Sequence, residues 1–272
     1  MTSTSTVTVT RLSVTPVKGF GLREVGEVAL TPHGVPGDRS LFLADDGDKL
    51  FSATRSGVFL PYWADLDVDT GVLTIGRGDD VLLRDVLEPG EPVRAHFFGS
   101  RYPTGRVVRG PWAAWLSEVA GRPLRLVLVD VPGAGYDVHP VTLVSEASVA
   151  ALGREADGTP LDPRRFRMTM TVDGVAPFAE DGWRGRTLQV GDVMLRAGGP
   201  VKRCAAIQKQ PDGEPSAVNA LRLINDVRGV QDSELGKGLV LGVYGEVVRP
   251  GALRVGDRVE VAEQEPVAAP AG

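Results

Sequence analysis

Glycine and proline break this chain into pieces too short for long helices. The 34 glycines and 20 prolines among 272 residues exceed the usual share of turn formers. Between the breaks lie runs that alternate β-branched and polar residues or concentrate apolar ones: Val7–Val14, Val25–Leu30, Ser40–Ala44, Leu66–Val68, Val72–Ile75, Val81–Leu83 and Val93–Phe98. That is the pattern of short, half-buried strands, so the first half reads as all-β. Further strands are expected at "PLRLVLVDV", Val141–Val144, Leu239–Val248 and Arg258–Val261.

Helical periodicity appears in few places. From Pro111 to Val119, Trp112, Trp115, Leu116 and Val119 recur at i, i+3, i+4 and i+7, Pro111 suits the first helical position, and Gly121 can end the helix. Those tryptophans read as core residues. Ser145 can cap "EASVAALGREA", and Ser216 can cap Ala217–Val227. The fold class expected is mainly β with a few peripheral helices. The Ser/Thr-rich start and residues 264–272 read as disordered tails.

Several function classes are excluded early. A net charge of −5 argues against general nucleic-acid binding, though a local basic pocket is compatible with it. With one cysteine there is no intramolecular disulfide and no Cys-rich zinc or iron–sulfur site, so a redox role requires an external electron donor. Three scattered histidines give no zinc motif. Gly236–Gly238 is not a P-loop, and no Gly-x-Ser-x-Gly elbow is present. No apolar run near membrane length and no signal peptide is seen, so the chain reads as cytoplasmic, without membrane partners.

Chemistry concentrates between Arg164 and Cys204. If Phe166–Val172 is a strand, Arg165, Arg167, Thr169 and Thr171 share one face, opposite Phe166, Met168, Met170 and Val172. Guanidiniums on one face suit an oxyanion, because each donates a planar, bidentate fork. The stretch closes on Cys204, whose thiolate is a soft ligand for a transition metal. Lys202 and Arg203 flank it, and neighbouring cations favour the thiolate that binds metal or attacks sulfur. A lone cysteine is otherwise a small hydrophobe.

The motifs "RFR", "AEDGW", "VGDV" and "KRC", followed by "GVYGEVVRPGALRVGDRVEV", resemble the MOSC domain, named after the C-terminal domain of molybdenum cofactor sulfurase. Upstream, "LSVTPVKG", "GVPGDRSLFLAD" and "ATR" are similar to the β-barrel domain that precedes MOSC in the branch containing the mitochondrial amidoxime-reducing component. The resemblance implies an N-terminal β-barrel-like domain over residues 8–110 and a MOSC β-barrel over 111–263, with the site where they meet.

It also implies roles that the residues alone leave open. Lys18 and Gly19 lie in a turn whose lysine contacts the pterin cofactor in the family; relatives often carry serine at the place of Gly19. Arg39, Thr54 and Arg55 would otherwise read as turn and surface residues, but the resemblance sends them to the cofactor, together with Arg167 and Arg203. Asp137, by itself an ordinary loop former, and Tyr244, by itself a buried strand residue, match positions beside the metal. His139 is a minor candidate. Ser145 has a sufficient job as a cap, and a helix N-terminus also favours an anion. Thr169 stands where amidoxime reducers typically carry asparagine.

The expected function is therefore reduction of N-hydroxylated or related small molecules by a molybdenum–molybdopterin cofactor. Cys204 would be the metal ligand, Asp137 and Tyr244 would position water or protons, and a separate ferredoxin, flavoprotein or haem protein would supply electrons. The alternative is a carrier that holds sulfur as a persulfide on Cys204 or delivers cofactor.

Overall fold

A computed structural model describes residues 6–156, 158–214 and 216–262; the disordered-tail expectation for 264–272 falls outside these residues. The class is mainly β, with three α-helices among the described residues.

The larger sheet has eight strands in the order Val259–Val261, Thr187–Val190, Val193–Lys202, Val240–Arg249, Val141–Ser145, Met170–Asp173, Thr8–Val14, Arg23–Val25. All but one of its neighbours run antiparallel, the exception being Val141–Ser145 beside Met170–Asp173. It curls so that the first strand approaches the last: Thr8 and Arg258 form a bridge, Val9 N–H donates to Asp257 O and Val259 N–H to Val7 O. A single bridge is not a continuous ladder, so the expected closed barrel is replaced by a nearly closed sheet. Its interior is aliphatic, with Val9, Leu12, Met170, Val172, Leu195 and Val243 buried together.

A second sheet of five strands runs Leu50–Phe51, Leu41–Ala44, Arg125–Val129, Thr104–Arg109, Glu88–Arg94. Three further strands (Tyr62–Asp67, Val72–Arg77 and Asp80–Val86) form a meander beside it. Helix α1, Trp112–Ala120, starts at Pro111 and ends on Gly121, whose φ of 64° is the left-handed cap that glycine adopts cheaply. As expected, Trp112 and Trp115 pack in the core, against Phe20, Phe59 and Leu126. Sequence grouped α1 and Arg125–Val129 with the second half, yet both are built into the first. Only then does the chain return to the larger sheet, which it left after Arg23–Val25.

Helix α2, Glu146–Glu155, is capped by Ser145, whose hydroxyl accepts from Ser148 N–H. Helix α3, Ala220–Arg228, begins later than expected: Asn219 is its cap, and Ser216 instead holds the preceding turn by accepting from Val218 N–H. The two helices, with Phe166, Met168, Ile207 and Leu241, make an apolar layer beneath the segment that carries Cys204.

The segment around Arg167 also departs from expectation. Asp162 caps a 3-10 turn over Pro163–Phe166, and the strand starts only at Met170. Proline favours such a turn start, and the Asp162 side chain bonds the Arg164 N–H. Strand alternation therefore does not apply at Arg165 and Arg167, and the two guanidiniums diverge. Phe166, Met168, Met170 and Val172 are buried as expected.

Candidate functional site

The two sheets enclose a cavity of about 930 Å³. Its walls come from the turn after the first strand, the loops 97–101 and 136–140, the segment 166–169, the end of strand Val193–Lys202 and the loop at 234–235. Eleven of the twelve residues singled out from sequence line it: Lys18, Gly19, Arg39, Thr54, Arg55, Asp137, Arg167, Thr169, Arg203, Cys204 and Tyr244. His139 lines it as well. Ser145 does not. It is fully buried, and its hydroxyl is spent on capping α2 and on Glu180, which accepts from both its N–H and its Oγ.

Cys204 is exposed at the cavity. The preceding strand ends at Lys202, Arg203 N–H bonds Leu239 O, and Cys204 then starts a short 3-10 turn in extended conformation. Its Sγ lies 3.2 Å from Thr54 Oγ1, so the thiol meets a residue from the other half of the molecule.

Arg167 ends its 3-10 turn at φ 55°, a left-handed conformation uncommon for a residue with a Cβ. This turn aims its guanidinium across the cleft, where Nη2 donates to Phe20 O at 2.7 Å. Burial, and then the charge of Arg39, push the Arg167 pKa down to about 10. Arg165 points elsewhere and does not line the cavity; it donates to Ile207 O, Gln210 Oε1 and Ser216 Oγ beneath the Cys204 turn.

Arg39 is also left-handed, at φ 49°. Its guanidinium donates to Asp38 and to Arg167 O. Burial opposes its charge most, but Asp38, Tyr136 and Asp137 together outweigh it and raise its pKa. Gly19 has φ 103°, where any side chain would be strained, so the missing serine follows from the backbone. Thr169 exchanges hydrogen bonds with Thr142, which occupies its hydroxyl.

Lys18 Nζ reaches Asp137 Oδ1 at 2.7 Å and Gly135 O at 2.8 Å. Burial lowers the Lys18 pKa, only partly offset by Asp137. Enclosure works against the Asp137 carboxylate too, but Lys18, with Arg39 and Arg101, holds its pKa below the usual range. Asp137 nonetheless faces the open cavity, with about half of its side chain (51%) accessible. Tyr244 is raised by burial first and by Asp137 second, which keeps its hydroxyl protonated.

Two residues escaped sequence reading. Arg101, in the loop after Phe98, donates to Ala134 O and Asp137 O and lies over the rings of Phe97 and Phe98. Glu234 accepts from Gly199 N–H and pairs with His139. Neither sits in a recognisable motif. A loop arginine and the run "VQDSELGKG" look like solvated surface until the fold brings them inward.

The charge balance is lopsided. Lys18, Arg39, Arg55, Arg101, Arg167, Lys202 and Arg203 line the cavity, against the carboxylates of Asp137 and Glu234. Arg39, Arg55 and Lys18 have carboxylate partners in Asp38, Asp45 and Asp137. The side-chain hydrogen bonds of Arg101, Arg167, Lys202 and Arg203 go only to backbone carbonyls or, for Arg203, also to the Met168 thioether. Four cations that form no salt bridge among the described residues favour an anion. A soft sulfur opens onto the same space.

Residues 130–260 match the family model described as MOSC domain. The chain carries a MOSC domain. Over 127 residues it is 32% identical to mitochondrial amidoxime-reducing component 1 of Homo sapiens, covering 45% of this chain and 37% of that protein. It is 25% identical over 232 residues to molybdenum cofactor sulfurase of Oryza sativa subsp. japonica, covering 72% of this chain and 28% of that protein. The matches thus span about a third of these relatives. The crystal structure of the YuaD protein from Bacillus subtilis aligns over 96% of this chain and 97% of that one, at 14% identity and a TM-score of 0.47. Relatives of this chain thus include a mitochondrial amidoxime-reducing component and a molybdenum cofactor sulfurase.

Proposed function

We propose that this protein binds a molybdenum–molybdopterin cofactor in the cavity between its sheets and reduces N-hydroxylated or related small molecules. The observation that carries this reading is the pairing of one exposed thiol with four cations that form no salt bridge among the described residues. A pterin phosphate matches the cations, and molybdenum matches the sulfur. Arg167, Arg203, Lys18 and Arg39 would hold the anionic cofactor, while Cys204 would supply the protein ligand to the metal. When bound, the cofactor supplies the two-electron redox chemistry.

The chain's own residues orient and protonate. Asp137, fixed by Lys18, stays ionised and accepts hydrogen bonds from water or substrate. Tyr244 stays neutral and can donate. Electrons would come from a separate ferredoxin, flavoprotein or haem protein. The proposed site takes residues from both halves, the N-terminal β-rich part and the MOSC domain.

One observation favours a second reading. The exposed Cys204 is open to small electrophilic sulfur donors, as a persulfide carrier requires. Metal content separates the two. Protein purified from a host that makes molybdenum cofactor should hold molybdenum close to one per chain, and Cys204→Ala should lose the metal or its activity. A carrier would instead show labile sulfur on Cys204 and little metal. Protein with neither metal nor pterin would overturn the molybdenum reading.

A further inference from the structure

The cavity is not uniformly basic. At one side Glu234 enters the wall, its Oε1 accepting from Gly199 N–H at 3.1 Å and its Oε2 3.0 Å from His139 Nε2. The other ring nitrogen of His139 lies 3.4 Å from Glu246 Oε1. Two carboxylates share one imidazole, so this group is net negative whether or not the imidazole carries a proton. Tyr244 completes it. The residue is 3% exposed, its ring lies edge-on to His139 at 5.6 Å, and among the described residues its hydroxyl has no hydrogen-bond partner although it lines the cavity. The hydroxyl opens onto the cavity and is free to meet a ligand group there.

Arg167, by contrast, sits in the turn that faces Phe20, among the cations that would hold an anionic cofactor. The cavity thus has a cation-rich side around Arg167 and a mixed side where Glu234 and Glu246 stand with Lys202, whose Nζ donates to Leu235 O. We infer that Glu234, with the Tyr244 hydroxyl beside it, selects substrates that carry a protonated amine over neutral or anionic ones of the same shape. The inference rests on the proposed function for its substrate class. Fixed by Gly199 and His139, the Glu234 carboxylate still has lone pairs to offer an ammonium donor. Preorganisation of this kind favours affinity because little rotamer freedom is lost on binding.

A matched series tests it: benzamidoximes bearing para-aminomethyl, para-methyl or para-carboxylate groups. Binding is measured by calorimetry on cofactor-loaded protein without electron donor, and reduction is measured separately with a chemical reductant. The aminomethyl compound should bind about tenfold more tightly than the methyl one, equivalent to about 1.4 kcal/mol, and the carboxylate more weakly than either. Glu234→Gln keeps an oxygen for Gly199 N–H and should bring the aminomethyl-to-methyl ratio to within about twofold of unity. Glu246→Gln, which leaves the Gly199 contact untouched, should lower the ratio by a smaller factor. An unchanged ratio in Glu234→Gln, or tightest binding of the carboxylate, overturns the inference. If none of the compounds is reduced yet the binding order holds, the proposed reaction fails while the selectivity stands.

Discussion

Arg165 and Arg167 stand two residues apart and occupy opposite surroundings. Arg165 faces the layer under the Cys204 turn, is 3% exposed, and has three oxygen acceptors. Arg167 faces the cavity, has one carbonyl acceptor, and is held among the charges of Arg39 and Arg203. Arg165 is buried and Arg167 half-buried, so burial alone does not explain the difference in role. The number and kind of acceptors do: Arg165 has three, although its Nε has none, and Arg167 has a single carbonyl. A cation bonded on several sides braces the fold, and one with a single partner on a cavity wall can take up an anion.

The largest effect should fall on Arg165, the residue with three acceptors. Arg165→Met would strand Ile207 O, Gln210 and Ser216, and should cost about 3 kcal/mol of stability, read from denaturant midpoints. A loss under about 1 kcal/mol would break the comparison. Arg167→Met should leave the stability of the ligand-free protein undiminished, because it removes a desolvated charge with a single partner. Wild type should instead gain about 1.4 kcal/mol at phosphate ten times its dissociation constant, and the variant should gain nothing; thermal melts with and without phosphate decide. Equal gains would show that Arg167 holds no anion.

Arg101→Met sharpens the middle ground. Its hydrogen bonds tie the loop at Ala134 and Asp137, so amides there should exchange faster while global stability falls by about 1 kcal/mol. The smallest effect concerns Asp137. Its folded pKa is depressed, so its pairing contributes stability above the ordinary carboxylate pKa of about 3.9 and loses it as pH falls through the folded value. The half-exposed carboxylate is screened, so the difference between wild type and Asp137→Asn should be small at pH 7 and vanish in acid. A difference that persists below the folded pKa would mean the substitution acts through packing.

The cavity's composition was largely legible because its residues lie in short turns with a family resemblance: Lys18 after the first strand, Arg39 after a Pro/Gly turn, Cys204 after "KR". Where reading failed, local chemistry outweighed periodicity. Alternation from Phe166 placed Arg165 and Arg167 on one face, but Asp162 and Pro163 set a turn that ends at Arg167. Serine at 216 looked like a helix cap, yet Asn219 took that role and Ser216 was drawn to Arg165. Arg101 and Glu234 were invisible because their partners lie in distant loops, and nothing local announces such contacts. Barrel closure was over-read for a similar reason: strand patterns predict pairing, whereas closure depends on the register at a single bridge, Thr8 to Arg258.

The first strand, Thr8–Val14, also has a bearing on how the chain is made. Its antiparallel neighbour in the larger sheet includes Thr171, which follows Thr10 by 161 residues. On a ribosome that strand can pair with Arg23–Val25 at once, but its other edge must wait until the chain has grown by 161 residues before Met170–Asp173 exists. The five-stranded sheet can assemble in the meantime, since its last strand ends at Val129. Nascent chains stalled between these two points should present a sticky edge to chaperones, and rapid dilution of the complete unfolded chain should be where misassembly concentrates.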